Sequence, residues 1–439
     1  MEKQKTVFAQ ITPPGISAVA SLRISGPGTV PLLSKISGLE PEHRKVYVRK
    51  LSYNDHVLDR AVILFFQNPH SYTGEDMAEI SVHGGIASIR RLKNILLDLG
   101  IYKAEPGEFT KRAFINSKMD LIQAESVLSI TNARTVEELD RAVEVSEGRL
   151  SKSVNRIKED IVYIKSYLDG SIDFPDDIEY HPGHILNLFK EIREKITDIY
   201  EGSRDGLLMS DGVDILITGL SNTGKSTLFN RLIKEDRAII TDRPGTTRDL
   251  LSEWIKIGPL PARITDSAGI RDTEEEVERI GMDKVKSRYR LSDVIIFIYD
   301  ASEGFTEADS ALYNDISHYN HIIIGNKSDI AVNPPVHEGA LLLSALKDND
   351  VSTKINDALL AALDFNRETV SYIMNRREAD IMRLMAGIID RIDNSDIDNN
   401  PEIVAVEMDE LIKLTGRMTG EITEDDILDS IFSNFCIGK

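Results

Sequence analysis

The first 118 residues alternate apolar and polar positions in short runs: VFAQI, AVASLRIS, KVYVRKLSY, AVILFFQ and AEISVHGG. A period of two predicts half-buried strands. The stretch IASIRRLKNILLDLG switches to helical spacing and stops at Gly100. Together they predict an α+β domain over 1–118. From about Met119 apolar residues recur at spacings of three and four, without proline, through DLIQAESVLSITNARTVEELDRAVEVSEGRLSKSVNRIKEDIVYIKSYLD. That pattern predicts long amphipathic helices. The polar stretch DFPDDIEYHPGH interrupts them, and ILNLFKEIREKITDIYEG resumes.

At about Gly212 the period changes again. VDILITG, ARITDSAG, DVIIFIYDAS and HIIIGNKSD are buried-type strands separated by helical segments. Such alternation predicts a mostly parallel sheet with helices on both faces. READIMRLMAGIIDRI and IVAVEMDELIKLTGRM return to helix. That tail is too short to build much core alone, so it is expected to pack on the earlier helices. The chain therefore reads as multidomain: an α+β domain at 1–118, a helical domain in two parts at 119–210 and 369–439, and an α/β domain at 211–368 inserted between them. Two separate helical pieces are the alternative.

Composition changes this picture little. The chain has 439 residues, 41% hydrophobic and 28% charged, as expected of a globular protein. Its formal charge of −20 argues against a molecule coated in nucleic acid, while leaving room for a local basic patch. One cysteine, Cys436, excludes an intrachain disulfide and fits a reducing compartment. MEKQKTVFAQ lacks the apolar core of a signal peptide, and the longest apolar run, VIIFIY, is too short to span a bilayer. The expected location is the cytoplasm, with no membrane span.

The chemistry gathers in the inserted domain. GLSNTGKST, Gly219 to Thr227, follows a strand and opens a helix. Its glycines let backbone N–H groups turn toward phosphate oxygens, so Asn222, Thr223, Gly224, Lys225, Ser226 and Thr227 form a candidate phosphate loop. Lys225 reaches the outer phosphates and the Ser226 hydroxyl suits Mg²⁺. GTTRD (Gly245 to Asp249) offers threonines to the metal and the last phosphate. In DSAG, Asp266 suits water-mediated Mg²⁺ binding and Gly269 an N–H contact to the same phosphate. NKSD supplies Asn326, Lys327 and Asp329, whose carboxylate accepts two bonds from a guanine edge. Ser344 and Ala345 would close over the base. This order resembles the translation-factor-like GTPases.

Ile270 stands where many GTP hydrolases carry a water-orienting Gln. In those enzymes an arginine finger also contributes roughly 10³–10⁵ in rate. Among downstream carboxylates, chemistry alone leaves Glu274, Glu275, Glu276 and Glu278 open as the water-orienting group. They are equally readable as solvated surface. Asn222 and the carbonyl- and hydroxyl-rich TDRPGTTRD suit a monovalent cation in the finger's place, or Asn222 simply shapes the loop.

TPPGISAVASLRISG, SYTGEDMAEISVHGG, GEFTKRAFINSKMDLIQAES, GLSNTGKST, TDRPGTTRD, DSAGIRDTEEEVERIG, NKSD and FCIGK together resemble the bacterial tRNA uridine-modification GTPases of the MnmE (TrmE) family, over essentially the whole chain. The resemblance implies a homodimer whose N-terminal domain binds a 5-formyltetrahydrofolate-type one-carbon donor through Arg23, Glu79 and Lys118. It implies K⁺ bound by Asn222, by main-chain carbonyls near Thr241 and Arg243, and by Thr246. Thr247 then joins Ser226 and Asp266 at Mg²⁺, and the water-orienting carboxylate falls on Glu278. Cys436 is a candidate participant in the modification chemistry, the alternative being a small buried hydrophobe. His83 reads better as a structural loop histidine than as an acid–base. Arg243 departs from the small or apolar residues usual there, although Pro244 restricts its backbone.

The implied activity is K⁺-stimulated GTP hydrolysis that, with an FAD-dependent partner of the MnmG (GidA) type, adds an aminomethyl-type group (carboxymethylaminomethyl) to carbon five of the wobble uridine of certain tRNAs. A regulatory RNA- or ribosome-associated GTPase switch without covalent chemistry is the alternative; it predicts a basic RNA-binding appendage. A stand-alone folate-dependent one-carbon transferase would leave the GTPase unexplained.

Overall fold

The computed structural model describes residues 5–174, 182–236, 252–266, 287–332, 336–366, 370, 372–393, 401–423 and 425–439. They group into two compact units, one of Met1–Leu128, Ser146–Asn155 and Lys413–Lys439, the other of Ser129–Val145 and Arg156–Ile412.

The first unit is built on strands β1 (Val7–Gln10), β2 (Val19–Ser25), β3 (Val46–Tyr53), β4 (His56–Phe66), β5 (Met77–His83) and β6 (Tyr102–Lys103). Their order in the sheet is β3-β4-β5-β2-β1-β6, with every neighbour pair antiparallel except β1–β6. The period-two pattern sorts the faces. Ala20, Leu22 and Ile24 of β2 and Ala78, Ile80 and Val82 of β5 point into the main core. Helices Thr29–Ser37 and Ile86–Asp98 close that core with Leu32, Leu33, Ile36, Ile89, Leu92 and Leu96. Arg23 and Glu79 therefore share the opposite face, directly across from each other in register. There helix Glu108–Ile115 brings Phe109 against Val7 and Ala9. Leu121 and Ala124 pack with Leu428, Phe432 and Phe435 of helix Asp425–Ser433.

The segment expected to form long helices after Met119 is divided into Leu121–Asn132, Val136–Ser146 and Arg149–Asp173. The first break comes at Thr135, whose hydroxyl accepts from the Glu138 N–H at 3.0 Å and starts a new helix. The second comes at Gly148, whose φ of +84° favours glycine.

The second unit holds β7 (Val213–Thr218), β8 (Ser252–Ile257), β9 (Leu260–Asp266), β10 (Val294–Asp300), β11 (His321–Asn326) and β12 (Leu341–Leu342), in the order β12-β11-β10-β7-β9-β8. All pairs are parallel except β8–β9. β10 is buried along its whole length, which explains its unbroken apolar run. β7 lies between β9 and β10, so connections leave it in both directions and open a crevice at its carboxyl end. Helix Pro182–Asp211 packs against Arg376–Asp393, and Arg376 pairs with Asp211 at 2.8 Å. Residues before and after the sheet therefore meet at this pair of helices.

Candidate functional site

The crevice at the end of β7 is lined by the loop GLSNTG. Gly219 lies so close to β10 that a Cβ there would sit 2.1 Å from the Ile298 carbonyl oxygen. Gly224 has φ of +97°, and a Cβ would meet Asn326 Nδ2 at 2.2 Å. Asn222 itself takes φ of +65°, a conformation that asparagine tolerates better than most residues. Helix Lys225–Asp236 follows, with its first N–H groups facing the loop.

Lys225 is buried and arches back so that Nζ donates to the Leu220 carbonyl at 2.6 Å. The Thr223 hydroxyl donates to the same carbonyl at 2.9 Å. Ser226 Oγ donates to Asp266 Oδ2 at 2.9 Å, joining the helix start to the end of β9. Two hard oxygens at a phosphate loop fit Mg²⁺. Asn326, almost fully buried at the end of β11, donates from Nδ2 to the Thr223 carbonyl at 2.8 Å and accepts from the Ala345 N–H at 2.9 Å. It thus clamps the phosphate loop to the Ser344–Ala345 segment. Ser344 and Lys347 bond the Asp329 carboxylate and hold it below the usual carboxylate range. It stays anionic where a base edge would meet it. Asp348 fixes that segment by accepting from the Ser344 N–H at 3.0 Å.

In the other unit, Arg23 donates through Nε and Nη2 to Glu79 Oε1 at 3.1 and 2.9 Å. The pair lines a cavity of about 410 Å³ together with Arg44, His70, Tyr72 and Lys118. The Arg23 guanidinium lies over the Tyr72 and Phe109 rings, 5.3 and 5.6 Å from their centroids. Lys118 donates to the Pro69 carbonyl at 3.0 Å. A charged pair beside aromatic faces suits a flat heterocycle with donors and acceptors on its edge.

Comparison with known proteins identifies the family. A model described as "GTP-binding protein TrmE N-terminus" matches residues 6–118, and the "MnmE helical domain" model matches 121–436. The chain belongs to the MnmE (TrmE) family. It is 34% identical to the tRNA modification GTPase MnmE of Thermosipho melanesiensis over 444 residues, 99% of each protein. The Aquifex aeolicus protein of the same name is 35% identical over 450 residues, covering 99% of this chain and 100% of its own. Among solved structures, an Era variant of Aquifex aeolicus bound to GDP and aluminium fluoride resembles 40% of this chain and 66% of its own, at 22% identity and a TM-score of 0.27.

Within this MnmE-family chain the structure gathers Asn222, Thr223, Gly224, Lys225, Ser226, Asp266, Asn326, Ser344 and Ala345 around one loop, with Thr227 exposed on the following helix. Thr241, Arg243, Thr246, Thr247, Gly269, Ile270 and the carboxylates Glu274, Glu275, Glu276 and Glu278 lie outside the described residues. Lys327 turns to Asp300, a residue the motif reading passed over because it ends a different strand. Cys436 is exposed rather than a small buried hydrophobe. His83 is exposed too, with Nδ1 2.7 Å from Asp59 Oδ1. Sequence reasoning missed Lys439. Its ammonium is held below the usual lysine range by burial and by the nearby Arg23 cation, with Cys436 close enough to oppose the shift. The backbone carbonyl of Lys439 accepts from the Phe109 N–H at 3.2 Å. FCIGK carried that signal, but nothing in its composition points to a residue over four hundred positions away.

Proposed function

We propose that the protein hydrolyses GTP in the course of tRNA wobble-uridine modification, with K⁺ stimulation and a folate one-carbon donor. The observation that carries the GTPase part is the Ser226–Asp266 contact at the phosphate loop, beside the buried Asn326 clamp. The tRNA part rests on membership of a family whose relatives are named tRNA modification GTPases.

In this reading Lys225 and the loop N–H groups hold the β- and γ-phosphates. Ser226, Asp266 and Thr247 hold Mg²⁺. Glu278 orients a water for in-line attack on the γ-phosphorus; its oxygen forms the new bond as the bridge to GDP breaks. K⁺, held by Asn222, by carbonyls near Thr241 and Arg243, and by Thr246, supplies the positive charge that an arginine finger gives elsewhere. Asp329 selects guanine. Arg23, Glu79 and Lys118 hold 5-formyltetrahydrofolate, which supplies the one-carbon unit. An FAD-dependent partner completes the uridine chemistry.

The reading includes a homodimer in the cytoplasm. Val46 and Val48 of edge strand β3 and Val62 opposite Val48 on β4 form an exposed apolar face, which supports self-association. Among the described residues no helix is long and apolar enough to cross a membrane. Domain limits at 1–118, 119–210, 211–368 and 369–439 fit the Arg376–Asp211 pair, which joins the chain before and after the GTPase segment.

The test is GTP turnover in KCl and in NaCl at equal ionic strength. Faster turnover in KCl, loss of that difference in Asn222→Ala and loss of hydrolysis in Glu278→Ala are expected. Equal rates in both salts would remove the ion from the mechanism and make Arg243 the group to test.

A further inference from the structure

The acidic balance of the whole chain hides an opposite local one. Residues 1–118 carry 16 Lys and Arg against 11 Asp and Glu, although the chain as a whole is at −20. Part of this excess converges. On helix Ile86–Asp98, the residues Ile86, Arg90, Lys93 and Leu97 fall at successive spacings of four, three and four and share one face. That face lines a cleft of about 310 Å³ together with Lys103 of β6, Pro14 and Gly15.

Among the described residues, neither Arg90 nor Lys103 has a carboxylate at ion-pair distance. Lys93 Nζ donates to the neutral Gln10 side chain at 2.8 Å and, among the described residues, has no carboxylate at ion-pair distance. Partial burial, and then the nearby Lys103 cation, hold the Lys93 ammonium below the usual lysine range. Three cations thus face one cleft with no carboxylate at ion-pair distance among the described residues, flanked by the exposed side chains of Ile86 and Leu97. An anionic ligand would relieve that repulsion.

We propose that this cleft binds the phosphodiester backbone of RNA, with Arg90, Lys93 and Lys103 as its phosphate partners and Ile86 and Leu97 against sugar or base. The inference rests on the tRNA reading above and adds where the RNA is held. Charge favours RNA over a second copy of the chain as occupant. The exposed valines suited to self-association lie on β3 and β4, while β6 is at the opposite edge of the sheet. The arrangement is the kind of local basic patch that the acidic overall charge leaves room for.

The test uses the full chain and an unmodified tRNA transcript, with affinity read by fluorescence anisotropy across a KCl series. Arg90→Ala with Lys103→Ala removes two exposed side chains, so folding and GTP turnover without RNA stay unchanged. Affinity is expected to fall about tenfold or more near 0.1 M salt, and the slope of log affinity against log salt to shrink by about two. Equal affinity and slope in variant and wild type would overturn the cleft assignment while leaving the tRNA reading intact. Absence of tRNA binding by the wild type would overturn both. A changed monomer–dimer balance with unchanged RNA affinity would assign the cleft to a second copy. Competition by inorganic pyrophosphate as strong, per phosphate, as that by the transcript would assign it to a small free phosphate; either result overturns the proposal.

Discussion

Two residues of NKSD, three positions apart, have opposite physical characters, and substitution separates them. Asn326 is buried and makes both its side-chain bonds to protein backbone, at Thr223 and Ala345. Asn326→Ala leaves a buried carbonyl and a buried N–H without partners, at about 1–3 kcal/mol each. The expected result is a lower melting temperature for the GTPase segment together with weaker nucleotide binding, measured by calorimetry on the nucleotide-free and GDP-bound protein. Asp329, at the surface, is held by Ser344, Lys347 and its own backbone N–H. Asp329→Asn is expected to leave stability essentially unchanged, as is usual for a surface substitution. GTP affinity is expected to fall at least about tenfold, because an amide no longer accepts both guanine donors. If both variants lost stability equally, Asp329 would be a structural residue and its base-reading role would fail. Both positions were legible as a motif, but only burial tells the clamp from the exposed candidate for base reading.

At the scale of elements, the hairpin β8–β9 is docked on the start of helix Val136–Ser146. The Arg134 guanidinium lies 3.7 Å from the Trp254 ring centroid, Lys256 pairs with Glu137 at 3.0 Å, and the Thr135 hydroxyl donates to the Pro259 carbonyl at 3.2 Å. Beneath them Glu138 accepts from the Arg134 N–H at 2.7 Å. Its carboxyl is pushed up to about 7, chiefly by burial. A carboxyl whose pKa is raised by folding favours the folded state while protonated; that contribution is complete below the unfolded value of about 4.5 and is lost as pH climbs through about 7. Glu138→Gln keeps an acceptor for Arg134 and removes the titration. Relative to wild type, the variant is expected to gain up to about 3 kcal/mol between pH 5 and 8. Parallel curves of stability against pH would show that Glu138 does not titrate in this range. None of this docking was readable in the chain, because its partners are separated by more than a hundred residues and Trp254 sits in no motif. By contrast, most strands of the first sheet were plain from period-two alternation, the central strands of the second from apolar runs, and the phosphate loop from glycine spacing. The helix breaks at Thr135 and Gly148 had local signals, a Thr-x-x-Glu box and a glycine, which the continuous amphipathic pattern outweighed.

At the scale of the whole molecule, the fold brings FCIGK back to β1, β2 and the start of helix Glu108–Ile115. Gly438, at φ of +101°, packs so tightly that a Cβ would lie 2.9 Å from the Gln10 carbonyl. The Lys439 carbonyl accepts the Phe109 N–H at 3.2 Å, and its ammonium is half-buried near Arg23. Holding two cations together costs stability unless an anion or a rich acceptor edge lies between them. A packing role and a ligand role for Lys439 therefore predict opposite results. Lys439→Met keeps the aliphatic stem and the backbone bond while removing the repulsion. If the lysine serves only the fold, the variant loses stability and binds 5-formyltetrahydrofolate as before. If it faces the ligand, stability holds or rises by up to about 1 kcal/mol, while folate affinity, measured by titration calorimetry, falls about tenfold or more. GTP turnover without folate is expected to be unchanged. The second outcome is the expected one, because burial and then the neighbouring Arg23 cation depress the ammonium, a cost that an acceptor edge of the ligand would offset.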